Sequence, residues 1–127
     1  MVKKLYIIAF LIFVIDRIFK VIFSEYSFSI FSYDLNTGAA FGILKDWNFF
    51  LILFGLFVIF LILYYRNDKK LEIGMGFLLG GVVSNVFDRI LYNGVVDYIH
   101  LFNSIFNLAD VSNIIGGVIL AYYFWNK

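Results

Sequence analysis

Three aspartates, Asp88, Asp97 and Asp110, are the residues of this sequence best placed to do chemistry. If the apolar runs holding Asp88 and Asp110 are helices that cross a membrane in opposite directions, both acids end at similar depth, and the segment joining them carries Asp97. Two carboxylates sharing a site cannot both ionise cheaply, so one proton stays on the pair. The ionised member can take a proton from a water lodged between them. The protonated member hydrogen-bonds a carbonyl and stabilises the charge developing there, which suffices to hydrolyse a peptide. Burial near lipid strengthens the sharing by penalising the doubly charged state. No metal and no cofactor is required. An ion path or a packed polar cluster would gather acids in a similar way, so convergence alone leaves those readings open.

Other chemistries fit less well. The chain has no Cys, hence no disulfide, thiol nucleophile or cysteine-ligated zinc. Its single His, His100, reads as a surface or interface side chain and argues against a His-cluster metal site. A Ser-Lys pair is weak because Lys20 already has Asp16 four residues away. A net charge of +1 without a basic face excludes nucleic acid as a partner.

The elements that must position these acids follow from hydropathy. Hydrophobic residues make up 63% of the 127 and charged ones 15%, against roughly 45–50% apolar in soluble domains. Four apolar blocks, about 5–23, 47–65, 71–91 and 105–125, each approach the ~20 residues needed to cross a bilayer. They predict an all-α integral membrane protein of four transmembrane helices, with 1–127 as one domain. Lys3 and Lys4 ahead of the first block resemble a signal-peptide start, but no small-residue cleavage site follows, so the block reads as an uncleaved span. Lys3, Lys4, Arg66, Lys69, Lys70 and Lys127 fall on one side and Lys45 alone on the other, which predicts cytoplasmic termini. Tyr64, Tyr65, Tyr122, Tyr123 and Trp125 then lie at the inner interface and Trp47 at the outer one. In the first outer segment Tyr26, Phe28 and Ile30 alternate with Ser27 and Ser29, a pattern that suits a short strand. Asn36-Thr37-Gly38 supplies turn chemistry after it.

Ionisable residues inside a span need a partner or a role. Asp16 and Lys20 share a helix face and can pair, structurally or functionally. Gly81, Asn85, Asp88 and Tyr92 form one stripe that must face protein or water. Asn107, three residues before Asp110, lies on its face. Gly76 with Gly80, and Gly116 with Gly117, read as close helix packing.

These residues fall in five ordered blocks that resemble the lipoprotein signal peptidases, the type II signal peptidases of bacteria. Asp16 to Lys20 resembles D-x-x-x-K. Asn36-Thr37-Gly38-Ala39-Ala40-Phe41-Gly42 is similar to N-x-G-A-A-F. The stretch from Gly80 to Arg89 resembles G-G-x-x-G-N-x-x-D-R, Gly94 to Tyr98 resembles G-x-V-x-D-F, and Phe106 to Asp110 resembles F-N-x-A-D. The resemblance implies four membrane helices with a small extracytoplasmic β-cradle, in the bacterial cytoplasmic (inner) membrane, with the site near the outer face. It implies an aspartyl endopeptidase that removes the signal peptide of diacylglyceryl-modified prolipoproteins, cutting before the lipidated Cys, with globomycin as inhibitor and a monomer as working unit. Asp97 and Asp110 carry over as the catalytic dyad. Asp16, Lys20, Asn36, Asn85, Asp88, Arg89, Asn107 and Ala109 carry over as supporting or substrate-binding residues. The Asn36 block would position substrate, and Asp88 with Arg89 would brace the site as an ion pair.

The chain departs from the pattern at Ser84, where Gly is expected, and at Tyr98, where Phe is. The interval from Asp97 to Asp110 is short, the Pro before F-N is absent, and the stretch from Gly42 to Trp47 is brief. Together these predict a reduced outer helix and a more open cleft. A small carrier using Asp16, Lys20 and Asp88, or a protein that holds lipoproteins without cutting them, are the competing readings.

Overall fold

The computed structural model describes residues 3–39 and 43–127. Ala40, Phe41 and Gly42, the end of the N-x-G-A-A-F resemblance, lie outside the described residues. Four helices occupy the apolar blocks: α1 (Lys4–Glu25), α2 (Asn48–Tyr64), α3 (Glu72–Tyr92) and α4 (Leu108–Trp125). Between them β1 (Phe31–Asn36), β2 (Val95–Leu101) and β3 (Ser104–Phe106) form one antiparallel sheet in the order β1-β2-β3.

Inside and outside are inverted relative to a protein folded in water. Asp16, Lys20, Asn85, Asp88, Asp97 and Asp110 are buried, while Phe10, Phe54, Phe57, Phe60 and Val118 are exposed. Charged side chains are almost never fully buried unless paired, and an apolar exterior of this extent marks a surface that meets lipid or partner. Two helices, α3 and α4, are long and apolar enough to cross a bilayer. At 17 residues α2 is apolar but shorter, and α1 carries Asp16, Arg17 and Lys20 in its second half.

The central helix is α3, which packs on α1, α4 and α2. Its glycines set the spacing. A Cβ at Gly80 would lie 2.8 Å from Ile12 Cβ and 2.9 Å from the Ala9 carbonyl on α1. One at Gly81 would collide with Asn113 and the Ala109 carbonyl on α4. Gly116 sits as closely against the Gly74 carbonyl, but a Cβ at Gly117 would meet nothing within 4 Å among the described residues. The packing expected of Gly117 is therefore absent: one residue on from Gly116, it turns to the outer face of α4. A cluster of Leu5, Ala9, Ile62, Leu71, Met75 and Leu79 fills the bundle at the start of α1 and α3, leaving the opposite end to the polar side chains.

The sheet differs from expectation. The alternating Tyr26 to Ile30 stretch is a turn, not a strand: Ser29 has φ 55°, and the Phe28 and Phe31 backbones pair at 2.9 Å across it. The strand starts only at Phe31. A second hairpin joins β2 to β3 through Phe102 and Asn103, both with positive φ, as a two-residue turn of the I′ type requires. Because Ile105 and Phe106 pair with His100 and Ile99, α4 begins at Leu108 and not near residue 105.

Candidate active site

The site is built on the first turn of α4. Asn107 caps that helix: its Oδ1 accepts from Asp110 N–H at 2.8 Å, while Asp110 Oδ2 accepts from Asn107 N–H at 3.0 Å. This reciprocal box satisfies two amide groups that a helix start leaves without partners. Asp110 Oδ1 accepts in turn from Asn85 Nδ2 on α3 at 3.0 Å. Asp110 is thus fixed through both oxygens.

Asp97 reaches the same place from β2. Its Oδ1 accepts from Asn107 Nδ2 at 2.9 Å and its Oδ2 from Asn36 Nδ2 at 3.2 Å. With 1% of its surface exposed, it has little water to solvate a charge. Burial, and next the neighbouring Asp110 carboxylate, push its pKa up to about 8. Asn107 therefore touches both acids, and burial favours the protonated form of Asp97.

Beneath lies a buried ionic cluster. Lys20 Nζ is 2.7 Å from Asp16 Oδ2 and 2.9 Å from Asp88 Oδ2, and it donates to Asn85 Oδ1 at 3.3 Å. Arg17 reaches Asp88 Oδ1 at 2.5 Å, its guanidinium between the rings of Phe13 and Phe87. Asp88 also accepts from Val96 N–H at 3.1 Å, which ties β2 to α3. The expected pairing of Asp88 with Arg89 is not what forms. Adjacent residues on a helix point about 100° apart, so Arg89 turns away and donates to Gly38 O at 2.7 Å and Asn48 Oδ1 at 3.2 Å.

Asn36 closes the turn it begins, donating to Ala39 O at 2.7 Å and accepting from Gly38 N–H at 2.8 Å, besides holding Asp97. Ala109 is fully buried, with its carbonyl against Gly81. Tyr92, placed on the Asn85 stripe by sequence, is half exposed. His100 pairs with Ser32 Oγ at 2.8 Å between β2 and β1, away from the acids. Arg17, Asn48, Ser84 and Tyr98 enter the network without having been singled out for a role. The cost of an unpaired Arg17 in an apolar run was the one signal that could have found it.

Among the described residues, cavities lead to the acids from two sides. A cleft of about 290 Å³ over the sheet is lined by Asp34, Asn36, Lys45, Asp97 and Ser104. A second, of about 190 Å³ between α2, α3 and α4, is lined by Leu51, Phe54, Val58, Asn85, Arg89 and Asp110 among others. The first approach is of mixed polarity and the second largely apolar.

The fold, a helical bundle with a small antiparallel sheet, is shared with two solved structures, each described as a bacterial membrane enzyme. One superposes with a TM-score of 0.86 over 97% of this chain and 88% of its own, the other with 0.79 over 95% and 92%, both at 24% identity. The model of the family described as Signal peptidase (SPase) II matches residues 8–126, and the chain belongs to that family. The lipoprotein signal peptidase of Halothermothrix orenii is 39% identical over 101 residues, 76% of this chain and 70% of that protein. That of Clostridium tetani is 40% identical over 101 residues, 71% and 65% of the two lengths.

Proposed function

We propose that this chain is a membrane-embedded aspartyl endopeptidase that removes the signal peptide of diacylglyceryl-modified prolipoproteins, cutting before the lipidated Cys. Asp97 and Asp110 are the dyad. The observation that carries the reading is Asn107, which binds Asp97 through its amide and Asp110 through its cap. That arrangement sets two acids from different segments beside one another, with one proton retained on Asp97.

In this mechanism Asp110, held as an acceptor at both oxygens, takes the proton from the attacking water. Protonated Asp97 donates to the scissile carbonyl, stabilises the tetrahedral oxyanion, and the amine leaves with the proton that Asp110 gained. The largely apolar cavity between the helices receives the signal segment and lipid, and the cleft over the sheet, of mixed polarity, receives the chain beyond the cut. All four helices span the cytoplasmic membrane as one domain, both termini face the cytoplasm, the sheet lies outside, and the protein works as a monomer. Lys20, Asp16, Asp88, Asn85, Asn36, Arg89 and Ala109 hold the dyad and the walls around it.

Purified protein incubated with a lipidated precursor peptide, with and without globomycin, tests this. Cleavage before the modified Cys that globomycin blocks is the expected result. Transport activity in liposomes without cleavage would end the reading.

A further inference from the structure

Two hydroxyls that the signal peptidase II pattern quoted above does not contain, those of Ser84 and Tyr98, end on the same buried carboxylate. Ser84 Oγ donates to Asp16 Oδ2 and Tyr98 Oη donates to Asp16 Oδ1, each at 2.6 Å. Asp16 and Tyr98 are both 0% exposed. With Lys20 at 2.7 Å, this carboxylate has a donor on either oxygen and a cation beside it.

The Tyr98 hydroxyl does more than satisfy Asp16. It also accepts from the Leu108 N–H at 3.0 Å, and Leu108 is the first helical residue of α4, next to Asn107 and two before Asp110. Tyr98 itself directly follows Asp97 on β2, and alternation along the strand sends the two side chains to opposite faces. One oxygen thus joins three segments: α1 through Asp16, the strand that presents Asp97, and the helix start that presents Asp110. The ring is held as well, stacked on Phe23 at 5.8 Å with Phe19 edge-on at 6.1 Å. Burial and Asp16 raise the phenol's pKa, so the hydroxyl keeps its proton and stays a donor.

We propose that Tyr98 is a positioning residue for the Asp97–Asp110 pair, its hydroxyl tying the strand and helix that carry the two acids to one anchor on α1. The proposal rests on the dyad reading given above. Without that oxygen, the Leu108 amide and one Asp16 oxygen lose a partner in a dry interior, and the interval between β2 and the first turn of α4 loosens. Misplacement of reacting groups by ~1 Å can cost on the order of 100-fold in rate. Part of that is the expected loss.

The test compares Tyr98→Phe, Leu108→Pro, Ser112→Ala and Asp97→Asn, using kcat and KM on a diacylglyceryl-modified precursor peptide and thermal unfolding in detergent. Leu108→Pro removes the amide N–H that donates to Tyr98, along with the half-buried leucine side chain. Proline suits a first helical position, and Asn107, at φ −134° and ψ 175°, already has the extended backbone required before proline. Ser112→Ala deletes another buried hydroxyl, one that donates to Phe77 O at 2.6 Å, and serves as the purely structural control. Tyr98→Phe is expected to lower kcat per folded molecule about tenfold with KM within about twofold, and Leu108→Pro to lower kcat about threefold. Ser112→Ala should lower the melting temperature while kcat holds. A kcat for Tyr98→Phe within twofold of the parent, or a loss carried wholly by KM, overturns the proposal. If Tyr98→Phe does not fold, Leu108→Pro decides on the same criterion. Asp97→Asn reports separately on the dyad, since full activity there removes the premise and not only the positioning role.

Discussion

The side-chain amide of Asn107 donates to Asp97 Oδ1 at 2.9 Å. The same residue caps the helix whose first turn carries Asp110, so it has two separable duties.

Substitution can part those duties. Asn107→Ala loses both and is expected to reduce kcat on the order of 100-fold and stability by about 1 kcal/mol from the cap alone. Asn107→Ser keeps a capping oxygen but is too short to reach Asp97, so unfolding should return toward the parent while kcat does not. Full kcat in the serine variant would show that Asp97 needs no such partner.

Lys20 is the cation between Asp16 and Asp88, with 2% of its side chain exposed. Lys20→Met keeps the length and removes the charge, leaving two buried carboxylates with one partner fewer. Removing one member of a buried ion cluster costs about 3–5 kcal/mol. Denaturant unfolding in detergent micelles should show a loss of that size, and a loss under 1 kcal/mol contradicts the cluster as described.

The titration of Asp97 sets a pH dependence whose sign can be worked out. The group sits at about 8 in the folded chain and at 3.8 when solvated. Between these values the folded state binds more protons than the unfolded state, so this contribution favours folding below about pH 4 and is lost as pH rises toward 8. In the proposed mechanism the protonated form is the carbonyl donor, so kcat should fall on the alkaline side with an apparent pKa near 8, a property of the coupled pair. A pH–rate profile flat to pH 10 would remove the proton from the mechanism.

Local spacing carried much of the structure. The Asp16–Lys20 pair, four residues apart on a helix face, forms as spacing suggested, and Asn107 does meet Asp110 three residues on, though as the cap before the helix and not from its face. Helices lie on all four apolar blocks because a run of such residues has few other ways to satisfy its backbone. Contacts that depend on how one helix is rotated against another were not legible. Arg17 meeting Asp88 and Arg89 meeting Gly38 are of that kind. The one strand expected, over Tyr26 to Ile30, was misplaced because Ser29 takes a left-handed turn inside an alternating pattern, and alternation alone does not report backbone handedness. Tyr98 read only as a departure from Phe, since a hydroxyl's worth depends on a carboxylate 82 residues away.

At Gly81 the helices bearing Asn85 and Asp110 meet main chain to main chain. Their separation is therefore set by the thickness of two polypeptide backbones, a quantity that mutation of side chains barely alters. Ile114, Ile115 and Val118 on the outward face of α4 take no part in that contact, so exchange among oily residues there is expected to leave the gap between Asn85 and Asp110 at its width.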